Sequence, residues 1–206
     1  MVGHLGVMTS AEWNERYAAT ELVWSAGPNQ FLVRETADLP PGRALDLATG
    51  EGRNAVWLAR QGWRVTGVDF SDVALGKAQQ IAALAGVDIE WVRADVVEYE
   101  PEPGGFDLVA ILYLHLEPPE RRRVLGHASA AVAPGGTLLI VGHDLDNLTH
   151  GYGGPQDPER LWVAADAVRE VPGLEIEQAG RVVRPVATES GIVEAIDTLV
   201  RARRPV

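Results

Sequence analysis

The chain has 206 residues, with 18 lysines and arginines against 29 aspartates and glutamates, and its net charge of −11 repels polyanions from most of its surface. It has no cysteine, which excludes disulfides, thiolate nucleophiles and cysteine-ligated metals. The longest apolar run, 106–116, is broken by Asp107 and His115 and falls short of the ~20 residues that a membrane helix needs. No basic-then-apolar leader opens the sequence, so a single cytoplasmic domain over 1–206 is expected, with neither nucleic acid nor membrane as partner.

Thr9 and Glu12 have the spacing of a capping box, which predicts a helix from about Ser10. Residues 43–47 read as a buried strand, and the glycines at 50 and 52 turn the chain into a helix that reaches Arg60 and stops at Gly62. A second strand, 64–68, ends in Asp69, and Ser71 caps a helix over 72–85 that Gly86 terminates. A third strand over 88–93 leads to Asp95. The fourth, 106–112, is apolar throughout, as burial on both faces requires. A helix over 120–132, ended by Pro134, Gly135 and Gly136, precedes a fifth strand at 137–142. The glycine- and proline-rich stretch 147–158 reads as a loop, followed by a helix over 159–170 and strand-like segments at 174–185 and 192–201. Arg201, Arg203 and Arg204 read as a solvated chain end. Strands alternating with helices predict a doubly wound α/β fold around a parallel sheet.

Gly50, Gly52 and Ala55 fit the nucleotide-binding pattern of glycine, any, glycine, two any, then glycine or alanine. Bare backbone there admits a ligand close to the free amides of the helix that follows. Asp46 selects among ligands. Its carboxylate at the strand tip repels a pyrophosphate and attracts an ammonium, so the acid argues against NAD. Asp69 lies where an acceptor for ribose hydroxyls is expected, Asp95 can accept from an adenine amine, and Phe70 and Val96 offer apolar walls for the base. The alternative is that each aspartate caps a turn.

The segments DLATGEGRNA, GVDFS, RADV and PGGTLLIVGHD resemble a class I S-adenosylmethionine-dependent methyltransferase over about residues 40–145. The stretch EWNERYAATELVWSAGPNQFL further resembles the tellurite-resistance and thiopurine methyltransferase group, in which this region folds over the cofactor. The resemblance implies a Rossmann-like, mostly parallel seven-stranded sheet with its last strand antiparallel. It also implies a lid segment over 1–35, a cofactor core over 40–145 and an acceptor side over 146–206. S-adenosylmethionine would be held by Arg16, Tyr17, Trp24, Asp46, Ala48, Gly50, Asn54, Asp69, Phe70, Asp95, Val96 and Ile111, and S-adenosylhomocysteine would be the product. Ala48 and Thr49 depart from relatives that carry glycine or cysteine there. Trp13, Tyr17, Trp24 and Phe31 read equally as lid contacts or as a packing stripe.

Methyl transfer to a hydroxyl benefits from a base, and His143 at the end of the fifth strand is the first candidate, ahead of His115 after the fourth. Tyr113 and Asp144 are candidates to orient a small-molecule acceptor. His143, Asp144, Asp146 and His150 read either as a divalent-cation site or as a solvated loop, and the loop 151–158 as a lid or a plain connection. The readings left open are oxygen, thiol or metalloid acceptors, a cation-assisted sugar O-methyltransferase, an NAD(P)-dependent oxidoreductase and a non-catalytic cofactor-binding module.

Overall fold

A computed structural model of the chain describes residues 9–20, 22 and 27–206. Its seven strands are ordered β3-β2-β1-β4-β5-β7-β6, and the chain divides into two compact units, 1–99 and 100–206.

In the first unit, helix α1 (Ser10–Ala18) begins at the capping box: the Thr9 side chain accepts from the Glu12 amide while the Glu12 side chain reaches back to the Thr9 amide. Helix α2 (Gln30–Thr36), which the sequence pattern did not reveal, starts at Asn29, whose Oδ1 accepts from the Phe31 and Leu32 amides. Strand β1 (Arg43–Leu47) pairs in parallel with β2 (Arg64–Asp69), and β2 with β3 (Glu90–Arg93). Helix α3 (Arg53–Arg60) follows β1, and α4 (Asp72–Ala85) follows β2, with Ser71 capping its start and Gly86 in the left-handed conformation at its end. Gly52, at φ +76°, allows the tight packing here: a Cβ on it would lie 2.7 Å from the Trp91 ring and 2.9 Å from Ala78 Cβ.

In the second unit, β4 (Phe106–Leu112) pairs in parallel with β5 (Val132–His143), and helix α5 (Pro118–Ala131) connects them. β5 begins five residues earlier than the sequence suggests. Pro134 to Gly136 form an irregularity inside the strand, where the register jumps from Phe106↔Val132 to Leu108↔Thr137 and Gly135 takes φ +77°. The segment 147–158 contains a short helix α6 (Asn147–His150). The helix expected over 159–170 divides into a 3₁₀ turn, Pro158–Arg160, and α7 (Ala164–Arg169). Leu161 and Trp162 between them are buried, and Trp162 bridges to Asp144, so burying the indole overrides helix continuity. Finally β6 (Glu175–Thr188) and β7 (Gly191–Arg203) form a long antiparallel hairpin, with β7 also antiparallel to β5. The sheet is therefore mostly parallel, reversed at β7. The apolar residues of β4, β5 and β7, including Leu108, Ile111, Leu139, Ile140 and Leu199, form this unit's core at full burial.

Candidate functional site

The glycine loop of the first unit is held by its acids. Asp46 is buried at the tip of β1 and accepts from the Thr49 hydroxyl at 2.6 Å and from the Ala55 amide. Burial, reinforced by the neighbouring Asp69 charge and opposed by Thr49 and Arg53, pushes the Asp46 carboxyl up to about 7. Asp69, also buried, accepts from the Gly50 amide at 2.8 Å and from the Ser71 amide at 2.9 Å, and burial raises it as well. Two neighbouring buried carboxylates leave the site short of positive charge, which is the condition a cationic ligand relieves. The donor set therefore fits a nucleoside carrying an ammonium and a sulfonium better than one carrying phosphates.

The remaining expected cofactor residues are placed as follows. Asn54 is buried and its Oδ1 accepts from the Asn29 amide, so it anchors the cap of α2. Ala48 sits at φ +58°, a left-handed conformation that favours glycine. Phe70 is half-buried, and its carbonyl accepts from the Ser10 hydroxyl. Val96 is buried, whereas Asp95 is exposed and caps a turn by accepting from the Val97 amide. Ile111 lies in the second unit, fully buried in β4. Trp24 lies outside the described residues.

Helix α1 is fastened to the end of β2 and to α4. Asn14 donates to Asp72 and accepts from the Ser71 hydroxyl, and Lys77 donates from Nζ to the carbonyls of Tyr17 and Thr20 and pairs with buried Glu51 of the glycine loop at 3.2 Å. Tyr17 is buried and stacks on Trp13, over which exposed Arg16 lies. Sequence reading missed Lys77; its signal was a lone lysine in the otherwise weakly charged helix DVALGKAQQIAALA.

The second unit gathers Tyr113, His115 and His143 at the ends of β4 and β5, joined by two residues that the sequence did not single out, Asp197 of β7 and Arg184 of β6. Asp197 is fully buried. Its Oδ2 accepts from the Tyr113 hydroxyl at 2.7 Å and from Arg184 Nε at 3.0 Å, and its Oδ1 lies 3.2 Å from His143 Nδ1. Burial alone would raise Asp197, but the donors from His143, Tyr113 and Arg184 outweigh it and hold the carboxyl below its usual range. Tyr113 takes φ +59°, a strained conformation for an aromatic residue, just where its hydroxyl joins this network. His115 stacks on His143 with ring centroids 5.4 Å apart. The signal available for Asp197 was an acid set among the apolar residues of 195–200.

The four candidate cation ligands are each engaged by protein groups. Asp144 is buried and accepts from the Thr198 hydroxyl, the Asp146 amide and Arg181; Asp146 pairs with Arg181; His150 bonds to Thr149. Among the described residues no group of three histidines or acids is placed to hold a metal ion. The loop 151–158 lies against His143: Asn147 donates to the Gly153 carbonyl, and a Cβ on Gly154 would stand 2.6 Å from the imidazole.

Comparison with known proteins agrees with this geometry. Residues 44–136 match a family model described as a methyltransferase domain. The chain is 31% identical over 132 residues to the demethylmenaquinone methyltransferase of Thermus thermophilus, covering 61% of this chain and 60% of that protein. It thus spans about three-fifths of that relative's length. The fold matches N-methyltransferase NodS of Bradyrhizobium japonicum, solved with S-adenosyl-L-homocysteine, with a TM-score of 0.72 at 20% identity over 97% of this chain and 100% of that one. The fold also matches TehB of Haemophilus influenzae, with a TM-score of 0.71 at 16% identity over 95% of this chain and 66% of that one. The glycine loop with its buried acids and the reversed β7 accompany the match to the methyltransferase-domain model over 44–136, and the chain is similar to the class I S-adenosylmethionine-dependent methyltransferases.

Proposed function

We propose that the chain transfers a methyl group from S-adenosylmethionine to a hydroxyl oxygen of a small-molecule acceptor, the first unit holding the cofactor and His143 taking the acceptor's proton. The observation that carries this reading is the contact between His143 and buried, ionised Asp197. S-adenosylmethionine supplies a methyl group on a sulfonium, so what the chain must add is alignment of the acceptor, exclusion of water and a place for the proton. Asp197 fixes the imidazole with its proton on Nδ1, which leaves the Nε2 lone pair as the base, and the carboxylate then stabilises the imidazolium that forms. Tyr113 and Arg184 hold Asp197 in place and act as positioning residues. Asp46, Gly50 and Asp69 would hold the cofactor's polar groups, with Phe70 and Val96 beside its base and α1 as cover.

A small molecule suits the net charge of −11 better than a nucleic acid does. It also agrees with the name of the demethylmenaquinone relative. No helix among the described residues is long and apolar enough to cross a membrane. S-adenosylhomocysteine is expected to raise the melting temperature and NAD to leave it unchanged; the reverse would remove the assignment. Transfer from labelled cofactor into a metabolite extract, resolved by mass, identifies the acceptor. Tight cofactor binding without transfer to any phenol, sugar, thiol or amine would favour a non-catalytic role. His143→Ala should lose turnover while S-adenosylhomocysteine affinity holds.

A further inference from the structure

The second unit contains a hydrogen-bond acceptor that the proposed reaction leaves unused. Nδ1 of His115 lies 3.0 Å from the carbonyl oxygen of Arg160. A carbonyl can only accept, so Nδ1 carries the proton and Nε2 presents a lone pair. That Nε2 is sealed from water and meets no donor among the described residues. A buried acceptor in this condition calls for a donor, which a water or a ligand hydroxyl can supply. Burial pushes the His115 ring down to about 4, so across the neutral range the ring stays uncharged and Nε2 remains an acceptor.

His143 is disposed in the same way. Its Nδ1 is turned to Asp197, and its ring lies 5.4 Å from the His115 ring at an interplanar angle of 18°. Both stacked imidazoles therefore turn Nδ1 toward an acceptor of the protein, at 3.0 Å in His115 and 3.2 Å in His143. We infer that the methyl acceptor carries two neighbouring hydroxyls, one delivered to His143 for methylation and the other donating to Nε2 of His115. A single hydroxyl has one proton and cannot serve both rings, and an ether or carboxylate has none to give. The backbone at Gly154, with φ +80°, lies against His143 and is the segment that must lift to admit such a molecule.

The inference rests on the proposed oxygen transfer, and its test separates the two. Matched probes are catechol with phenol, cis-1,2-cyclohexanediol with cyclohexanol, and methyl glucoside with its 2-deoxy analogue. Each is presented with S-adenosylmethionine to the wild type, His115→Phe and His115→Gln, while the ¹⁵N resonance of His115 Nε2 is followed in the wild type with S-adenosylhomocysteine. At least one diol should bind about tenfold more tightly than its partner and move the Nε2 resonance. His115→Phe should erase that preference through KM with little change in kcat. His115→Gln, whose amide can donate to Arg160 and accept from the ligand, should retain part of it. Equal affinity within every pair, an Nε2 resonance that no diol moves, or a preference unchanged in His115→Phe would each overturn the inference. A diol-responsive Nε2 without methylated product would instead sink the oxygen-transfer reading and leave the diol site standing, and efficient methylation of the monohydric probes would do the opposite.

Discussion

His143 and Asp197 face each other across the β5–β7 ladder, and their side chains meet at 3.2 Å, so one antiparallel register pair supplies both the imidazole and the carboxylate that orients it. The contact is long and imperfectly aligned for a hydrogen bond, as such pairs often are before the reacting complex forms.

Asp197→Asn tests that pair. The amide cannot stabilise an imidazolium and permits the wrong tautomer, so kcat is expected to fall by about 10²-fold or more. S-adenosylhomocysteine affinity should be unchanged. Steady-state kinetics beside calorimetric titration checks both, and a variant with normal kcat would strip Asp197 of its role. Some loss of melting temperature is expected because Arg184 loses its charged partner.

Asp46 gives the cofactor site a pH dependence of determined sign. Its folded carboxyl titrates at about 7, against about 3.9 in the unfolded chain. Between those values the folded state binds the extra proton, so this group's contribution to stability declines as pH rises from about 4 to about 7 and is then constant. The ammonium of the bound nucleoside prefers the ionised form. The rise in melting temperature produced by S-adenosylhomocysteine should therefore be larger at pH 8 than at pH 6. Asp46→Asn should flatten both trends and weaken cofactor binding at least tenfold; equal shifts at the two pH values in the wild type would refute the assignment.

Two neighbouring loop positions should respond oppositely to exchange of a single methyl group. Gly52→Ala drives a Cβ into Trp91 and Ala78 at a left-handed φ and should destabilise by about 2–3 kcal/mol. Ala48→Gly relieves a left-handed conformation costing roughly 1–2 kcal/mol, partly offset by the freer unfolded chain, and should stabilise by under about 1 kcal/mol. Chemical denaturation of the two variants reads the difference.

Lys77 ties the C-terminal end of α1 to the glycine loop. Lys77→Met removes donors to two carbonyls and to buried Glu51, so about 2 kcal/mol of local stability should be lost. Hydrogen exchange should quicken in 10–20 before it does in α4. S-adenosylhomocysteine affinity should fall if α1 covers the cofactor, and an unchanged affinity would assign α1 to packing alone.

Local chemistry was readable wherever it is written in adjacent residues. The Thr9–Glu12 box, the Ser71 cap, the Gly86 stop and the strand-ending Asp46 and Asp69 all stand where their neighbours dictate. What escaped depends on partners distant in sequence. Asp197 meets Tyr113 across 84 positions, and Lys77 meets Tyr17 across 60, pairings that no spacing rule encodes. Asp95 illustrates the converse: it stands at the expected place, yet in the structure its carboxylate caps the turn at Val97. The divided helix at 158–169 came from a tertiary demand, the burial of Trp162, that outweighs local propensity.

Because β7 lies between β5 and β6, the middle of the second unit's sheet is filled by residues 191–203, which begin nearly fifty positions after β5 ends. During synthesis the edge of β5, with its run Leu138–Val141, stays open to any passing strand until that segment has left the ribosome. The base proposed at His143 also has no carboxylate beside it until then, so a nascent chain can acquire its glycine loop well before its proposed base acquires the group that orients it.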